Sequence, residues 1–243
     1  MTESRDTLFA EPLAEIAPFA FDEDVARVFP DMIKRSVPGY ATIVNMTGVM
    51  AARYAQPGTR LYDLGCSLGA STLAMRQRVT APGCEIIAID NSNAMLERCR
   101  TVLDTDAHDL PVTLACADLE NADVANASVV VLNFTLQFVA QQERERVVRT
   151  IFNGLQPGGI MVLSEKVVFE DEHLNQLNID LHHEFKRTNG YSDLEIAGKR
   201  SALENVLVAE TLHAQRQRIE GAGFRSCDVW FQCFNFASLV AIK

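Results

Sequence analysis

The sequence predicts an α/β fold in which a mostly parallel sheet carries helices on both faces and ends in an antiparallel hairpin. From residue 59 onward short apolar runs alternate with amphipathic stretches, which is how the βα units of a parallel sheet read. The run Val129-Val130-Val131-Leu132 is apolar at every position, as expected of a strand covered on both sides. Two β-rich runs at 226–234 and 236–242 follow each other almost without a connection, so they must pair antiparallel; a parallel return needs about a dozen residues or more.

Each element follows from local signals. Two apolar helical stretches, around 25–33 and 40–54, form an expected helical cap over 1–56. A first strand at 59–64 is entered through Pro57-Gly58 and leads into a helix at 70–79. After Ala81-Pro82-Gly83 come a strand at 84–89, a helix at 94–103, and strands at 112–117 and 128–134. A helix over 141–155 is stopped by Gln156-Pro157-Gly158-Gly159, and a fifth strand spans 160–168. The rhythm then breaks into a mostly helical insert at 170–221 before the hairpin, for seven strands in all. No repeat, low-complexity tract or long Pro/Gly/Ser linker divides the chain, so residues 1–243 read as a single domain.

Composition narrows the function classes. The 243 residues carry 22 Lys+Arg against 32 Asp+Glu, a net charge of −10, and are 48% hydrophobic. That is far from the composition of a disordered chain. No stretch approaches the ~18 uninterrupted apolar residues of a membrane-spanning helix, and the start Met-Thr-Glu-Ser-Arg-Asp lacks the basic-then-apolar pattern of a leader. The expectation is an unprocessed cytoplasmic protein with no membrane partner. The first forty residues hold eight acidic and four basic side chains. Nucleic-acid backbones are gripped by basic excess, so no direct nucleic-acid contact is expected. The six cysteines form no C-x-x-C pair and read as reduced core fillers. His182-His183 lack the H-E-x-x-H spacing of a zinc helix, so no metal is expected.

The most informative stretch is 61–71, LYDLGCSLGAS, a strand running through a glycine loop into a helix. Gly65 permits a sharp turn and close approach to the main chain, and the following helix start offers free N–H groups. Twenty-five residues on, Asp90 ends the second strand, where an acid accepts from both hydroxyls of a ribose. A dinucleotide fingerprint G-x-G-x-x-G is absent. The same residues spell G-x-S-x-G, with Ser67 at the place of a hydrolase nucleophile, but the late histidine such a triad needs, His213, sits in a charged helical stretch. A tight βα turn with no ligand is the plainest alternative. The spacing Asp63, Gly65, Gly69 fits the D-x-G-x-x-x-G loop of S-adenosylmethionine pockets. Two further strand ends favour that pocket. Asp118, with Leu119 behind it, can accept from an adenine amino group, and Asn133 ends the fourth strand beside the first, at the edge of the ligand crevice.

Blocks spread along the chain are more distinctive. FDEDVARVFPDMIKRSVPGY (21–40), YDLGCSLG (62–69), VVLNFTLQF (130–138), LSEK (163–166), HHEFKR (182–187), KRS (199–201) and WFQCFNF (230–236) together resemble the carboxy-S-adenosyl-L-methionine synthases of bacterial tRNA wobble-uridine modification. The resemblance covers almost the whole chain and implies a Rossmann-like class I methyltransferase fold. It implies a reaction in which S-adenosyl-L-methionine is carboxylated on its methyl group by prephenate, giving carboxy-S-adenosyl-L-methionine and phenylpyruvate. It further implies a homodimer and a separate tRNA carboxymethyltransferase that uses the product. Carried over, the family's ligand contacts fall on Tyr40, Gly65, Cys66, Ser67, Asp90, Asn91, Asp118, Leu119, Asn133 and Arg200. Arg200 is the expected fork for the new carboxylate and Tyr40 a phenolic contact, the two residues expected at the chemistry. An ordinary small-molecule methyltransferase and a non-catalytic adenosyl-binding partner of a tRNA enzyme are the alternatives.

Overall fold

The structure, a computed structural model, describes residues 4–12 and 16–243. The opening Met-Thr-Glu and residues 13–15 of the expected cap lie outside the described residues. Strands β1 (Arg60–Leu64), β2 (Glu85–Asp90), β3 (Val112–Cys116), β4 (Ala127–Asn133), β5 (Leu155–Val168), β6 (Glu210–Thr211), β7 (Ser226–Cys233) and β8 (Phe236–Ile242) make one sheet. Its order is β3-β2-β1-β4-β5-β8-β7, with β6 pairing β5. Strands β1 to β5 are parallel, β8 is antiparallel to β5, and β7 to β8.

The apolar run of β4 behaves as its composition demands. Val129 and Val131 point to the face covered by α2 (Tyr40–Tyr54) and α3 (Ala70–Arg76), where they pack with Leu61, Met75 and Ala51. Val130 and Leu132 point to the other face, against α5 (Gln141–Gly154) and α8 (Leu212–Ala222), with Val148 and Ile219. All four residues are fully buried, so period-2 alternation sends them in pairs to two cores and none to water.

The structure differs from the sequence reading at five places. The sheet has eight strands, because two residues of the expected helical insert, Glu210-Thr211, pair with Val167-Val168; a two-residue strand leaves no periodicity to read. Within the same insert only α6 (Glu172–Thr188) and α7 (Asp193–Leu203) stand apart, whereas α8 covers the sheet. In the expected cap, α1 (Glu23–Ser36) joins a satellite cluster with Met95 of α4 (Asn93–Asp104), but α2 belongs to the main core. Strand β5 begins at Leu155, paired with Ala127, and resumes at Ile160 after the irregular Pro157-Gly158-Gly159. Of the six cysteines, all free, Cys66, Cys84 and Cys99 are buried as core fillers, but Cys116 is exposed.

The parallel register brings the carboxyl ends of β1, β2, β3 and β4 to one edge, and the strand order reverses between β1 and β4. A crevice opens at such a switch point.

Candidate active site

A cavity of about 640 Å³ lies at that edge. The loop after β1 supplies Gly65, Cys66 and Ser67 to its wall. Gly65 has φ 80°, and a Cβ there would lie 2.2 Å from the Thr135 side chain, so only glycine lets the β1 and β4 loops meet. Ser67 and Phe134, two of the four non-glycine residues with positive φ among the described residues, lie on the cavity wall with φ of 49° and 64°.

The acid at the end of β2 is held by the loop it faces. Asp90 accepts the N–H of Ser67 at 2.8 Å and that of Ser92 at 2.9 Å. Burial raises its pKa, and those N–H groups oppose the rise. Asn91 donates to Asp118 at 3.1 Å, joining the ends of β2 and β3; both residues and Leu119 line the cavity. Asn133, on the β4 side, donates to Ser71 at 2.8 Å and accepts from Ser164 at 2.6 Å. Beneath them Thr72 donates to the buried Asp63 at 2.6 Å, and burial pushes that carboxyl up to about 6.

Tyr40 opens α2 directly after Gly39, whose φ is 77°; a Cβ at Gly39 would lie 2.2 Å from Phe231. The tight passage fixes where Tyr40 enters the cavity, its ring 6.2 Å from that of Phe134. Burial raises the phenol pKa, and the Asp63 charge adds to the rise, so Tyr40 is a neutral hydroxyl.

The structure therefore brings nine of the ten expected contacts onto one wall and leaves the tenth outside. Arg200 is exposed on α7 and does not line the cavity; its neighbour Lys199 does. Ser67 has no histidine partner, and His213 is exposed on α8, so the hydrolase reading has no triad. His182 is buried, donates from Nε2 to the Ser36 carbonyl at 2.8 Å, and is kept neutral by burial and by Lys186, with a pKa pushed down to about 3. Among the described residues, no group of three His, Cys, Asp or Glu side chains is placed to share a metal ion.

Two features of the site were missed in the sequence. Lys166, Lys186 and Lys199 converge on the cavity from β5, α6 and α7. Asp6, only 1% exposed, accepts from Tyr191 at 2.5 Å, lies 3.5 Å from Lys199 and is held by Arg35 through its carbonyl. The lysines sit in separate elements, and the KR pair at 199–200 gives no sign of which member turns inward.

Comparison with known proteins now decides the family. Residues 61–159 match a methyltransferase domain model. The carboxy-S-adenosyl-L-methionine synthase of Trichlorobacter lovleyi is 60% identical over 244 residues, covering all of both chains, and that of Aliivibrio fischeri 56% identical over 98% of each. The chain belongs to the carboxy-S-adenosyl-L-methionine synthase family. Among solved structures, an O-methyltransferase family protein from Burkholderia thailandensis has a TM-score of 0.64 at 17% identity, over 95% of this chain and 65% of that one. Human N-acetylserotonin methyltransferase, in complex with SAM, gives 0.61 at 15%, over 91% and 55%. These two share the fold: the synthase family is built on a class I methyltransferase sheet. The chain is an S-adenosyl-L-methionine-dependent transferase of this family.

Proposed function

We propose that this protein carboxylates the methyl group of S-adenosyl-L-methionine with prephenate as donor, releasing phenylpyruvate and carboxy-S-adenosyl-L-methionine. The observation that carries the reading is that one continuous cavity holds both the adenosyl wall and a basic end. A neutral methyl acceptor has no use for the second.

The chemistry follows from charge. A methyl group on S⁺ is weakly acidic, and its deprotonated carbon is a nucleophile. When the ring C–COO⁻ bond of prephenate breaks, its electron pair aromatises the ring and expels hydroxide, freeing carbon dioxide. The sulfonium carbon captures that carbon dioxide, and the methyl proton and hydroxide end as water. Asp90 takes the ribose hydroxyls, Asp118 with Asn91 and Leu119 takes the adenine, and Gly65 to Ser67 carry the rest of the nucleoside along the main chain. Asn133 and Tyr40 bound the reacting end.

The new carboxylate calls for a guanidinium fork, and Arg200 is our candidate. Its exposed position on α7 fits service to the cavity of a second copy. Beside it, α6 shows Leu174, Leu177 and Leu181 to solvent, 48%, 46% and 37% exposed, one apolar stripe of a helix. A homodimer through α6 and α7 would cover that stripe and bring Arg200 to its partner. The protein would act in the cytoplasm as one S-adenosylmethionine-binding domain spanning residues 1–243. Its product would be a small diffusible metabolite used by a tRNA carboxymethyltransferase, which leaves a chain of charge −10 no need to grip tRNA. No helix among the described residues is long and apolar enough to cross a membrane.

Mass spectrometry of the protein with S-adenosyl-L-methionine and prephenate tests the reading. Carboxylated cofactor together with phenylpyruvate is expected. S-adenosylhomocysteine as the product would make the protein an ordinary methyltransferase, and binding without turnover a non-catalytic partner.

A further inference from the structure

Three lysines in one cavity wall are a costly arrangement. Lys186 and Lys199 are 8% and 5% exposed, and Lys166 lines the same space from β5. Lys199 has partners, the Asp6 carboxylate at 3.5 Å and the Ser36 hydroxyl at 3.2 Å. Among the described residues, Lys166 and Lys186 have no ion pair and no side-chain hydrogen bond. An ammonium withdrawn from water without a counter-charge is strongly disfavoured. Burial, Lys199 and Lys166 push Lys186 down to about 7, and burial pushes Lys199 down to about 8 despite Asp6. Nearby His182 is neutral, and Arg35 is matched by Asp31 at 3.0 Å.

This end sets three lysines, with the Arg200 guanidinium close enough to act on Lys166, against the one Asp6 carboxylate, so basic groups outnumber acids. S-adenosyl-L-methionine is a poor match, because its one carboxylate is outweighed by an ammonium and a sulfonium. The donor of the proposed reaction carries two carboxylates and no cation. We propose that Lys166 and Lys186, with Lys199 held beside them by Asp6, form a dianion subsite that binds the two carboxylates of the carboxyl donor. The proposal rests on the reaction put forward above and assigns the donor's place within it. Holding both carboxylates there would place the donor in the same cavity as the sulfonium methyl, so that carbon dioxide is released where it is captured.

Binding can be separated from turnover. Prephenate is titrated calorimetrically into protein loaded with S-adenosylhomocysteine, which has no methyl to carboxylate, for the natural chain and for Lys166→Met, Lys186→Met and Lys186→Arg. Methionine keeps the buried stem and removes a charge, so thermal melting should show folded variants. The expected result is prephenate affinity lower by roughly thirtyfold or more in each methionine variant, the loss of a buried charge partner. Lys186→Arg should restore part of it, and S-adenosyl-L-methionine affinity should change less than about threefold, below half of one tenfold step. In steady state the same variants should raise the KM for prephenate more than they lower kcat. Unchanged prephenate affinity overturns the subsite. An equal loss of S-adenosyl-L-methionine affinity also overturns it and gives the lysines to the methionine tail. Tight, lysine-dependent prephenate binding with no carboxylated product from the natural chain would uphold the subsite and sink the reaction instead.

Discussion

Lys199 and Arg200 are consecutive on α7, yet Lys199 is 5% exposed, with its ammonium 3.5 Å from Asp6, while Arg200 lies in solvent. The inward cation lines this chain's cavity, and the outward one is still close enough to add to burial in pushing the pKa values of Lys166 and His183 down. Replacing Arg200 with alanine should weaken binding of the carboxylated product by ~2 kcal/mol or more and leave S-adenosyl-L-methionine affinity unaltered. Calorimetry with both ligands checks it. If Arg200 serves a second copy, mixing Arg200→Ala with an Asp90→Asn chain should regain activity that neither has alone.

Asp90 is spanned by two backbone N–H groups, so its carboxylate is oriented before any ligand arrives. Asp90→Asn removes the charge and sets an amide N–H2 against one of those donors. S-adenosyl-L-methionine affinity should fall about tenfold or more, the usual cost of losing hydrogen bonds to a charged acceptor. A titration with S-adenosylhomocysteine should show the same loss, because the ribose is common to both.

The α6 stripe predicts assembly. Leu177→Asp places a charge in the centre of Leu174, Leu177 and Leu181 and should convert a dimer to a monomer in light scattering, with the fold retained by circular dichroism. Loss of activity in the monomer, with S-adenosyl-L-methionine binding kept, would tie the assembly to Arg200.

Arg144 is 1% exposed and fastens the loop after β4: it donates to the carbonyls of Val139 and Gln137 at 2.9 and 3.0 Å and pairs with Glu210 at 2.5 Å. Gln137 in turn accepts from the Lys166 N–H at 2.9 Å. Arg144→Met removes the donor to the Val139 carbonyl and one of two arginines on Glu210, which keeps Arg218 at 2.5 Å, so stability in urea should drop by about 1–3 kcal/mol.

Glu165 is buried and accepts from the Leu136 N–H at 3.0 Å; burial pushes its pKa up to about 8, with Arg144 opposing. The folded state holds its proton more tightly than the unfolded chain, whose glutamate titrates near 4.5. Its contribution is therefore full below pH 4.5 and is lost as pH rises through about 8. Glu165→Gln should flatten that part of the stability profile and gain relative to the natural chain at the alkaline end, as urea titrations at several pH values would show.

Sequence and tertiary structure divided this protein along a physical line. The sequence by itself determined the sheet, because βα alternation and the apolar run at 129–132 admit few other packings. It placed Gly65, Asp90, Asp118 and Asn133 on one cavity too, since they sit at strand ends that parallel pairing must bring to one edge. Only the tertiary structure decided that Lys166, Lys186 and Lys199 share a cavity, that Asp6 reaches Lys199 across the chain, and that Arg200 faces outward. Periodicity reports which residues an element buries on average. The direction of a single side chain on a short helix such as α7, and the meeting of charges from three elements, depend on contacts between segments far apart in the chain, and a linear pattern does not encode them.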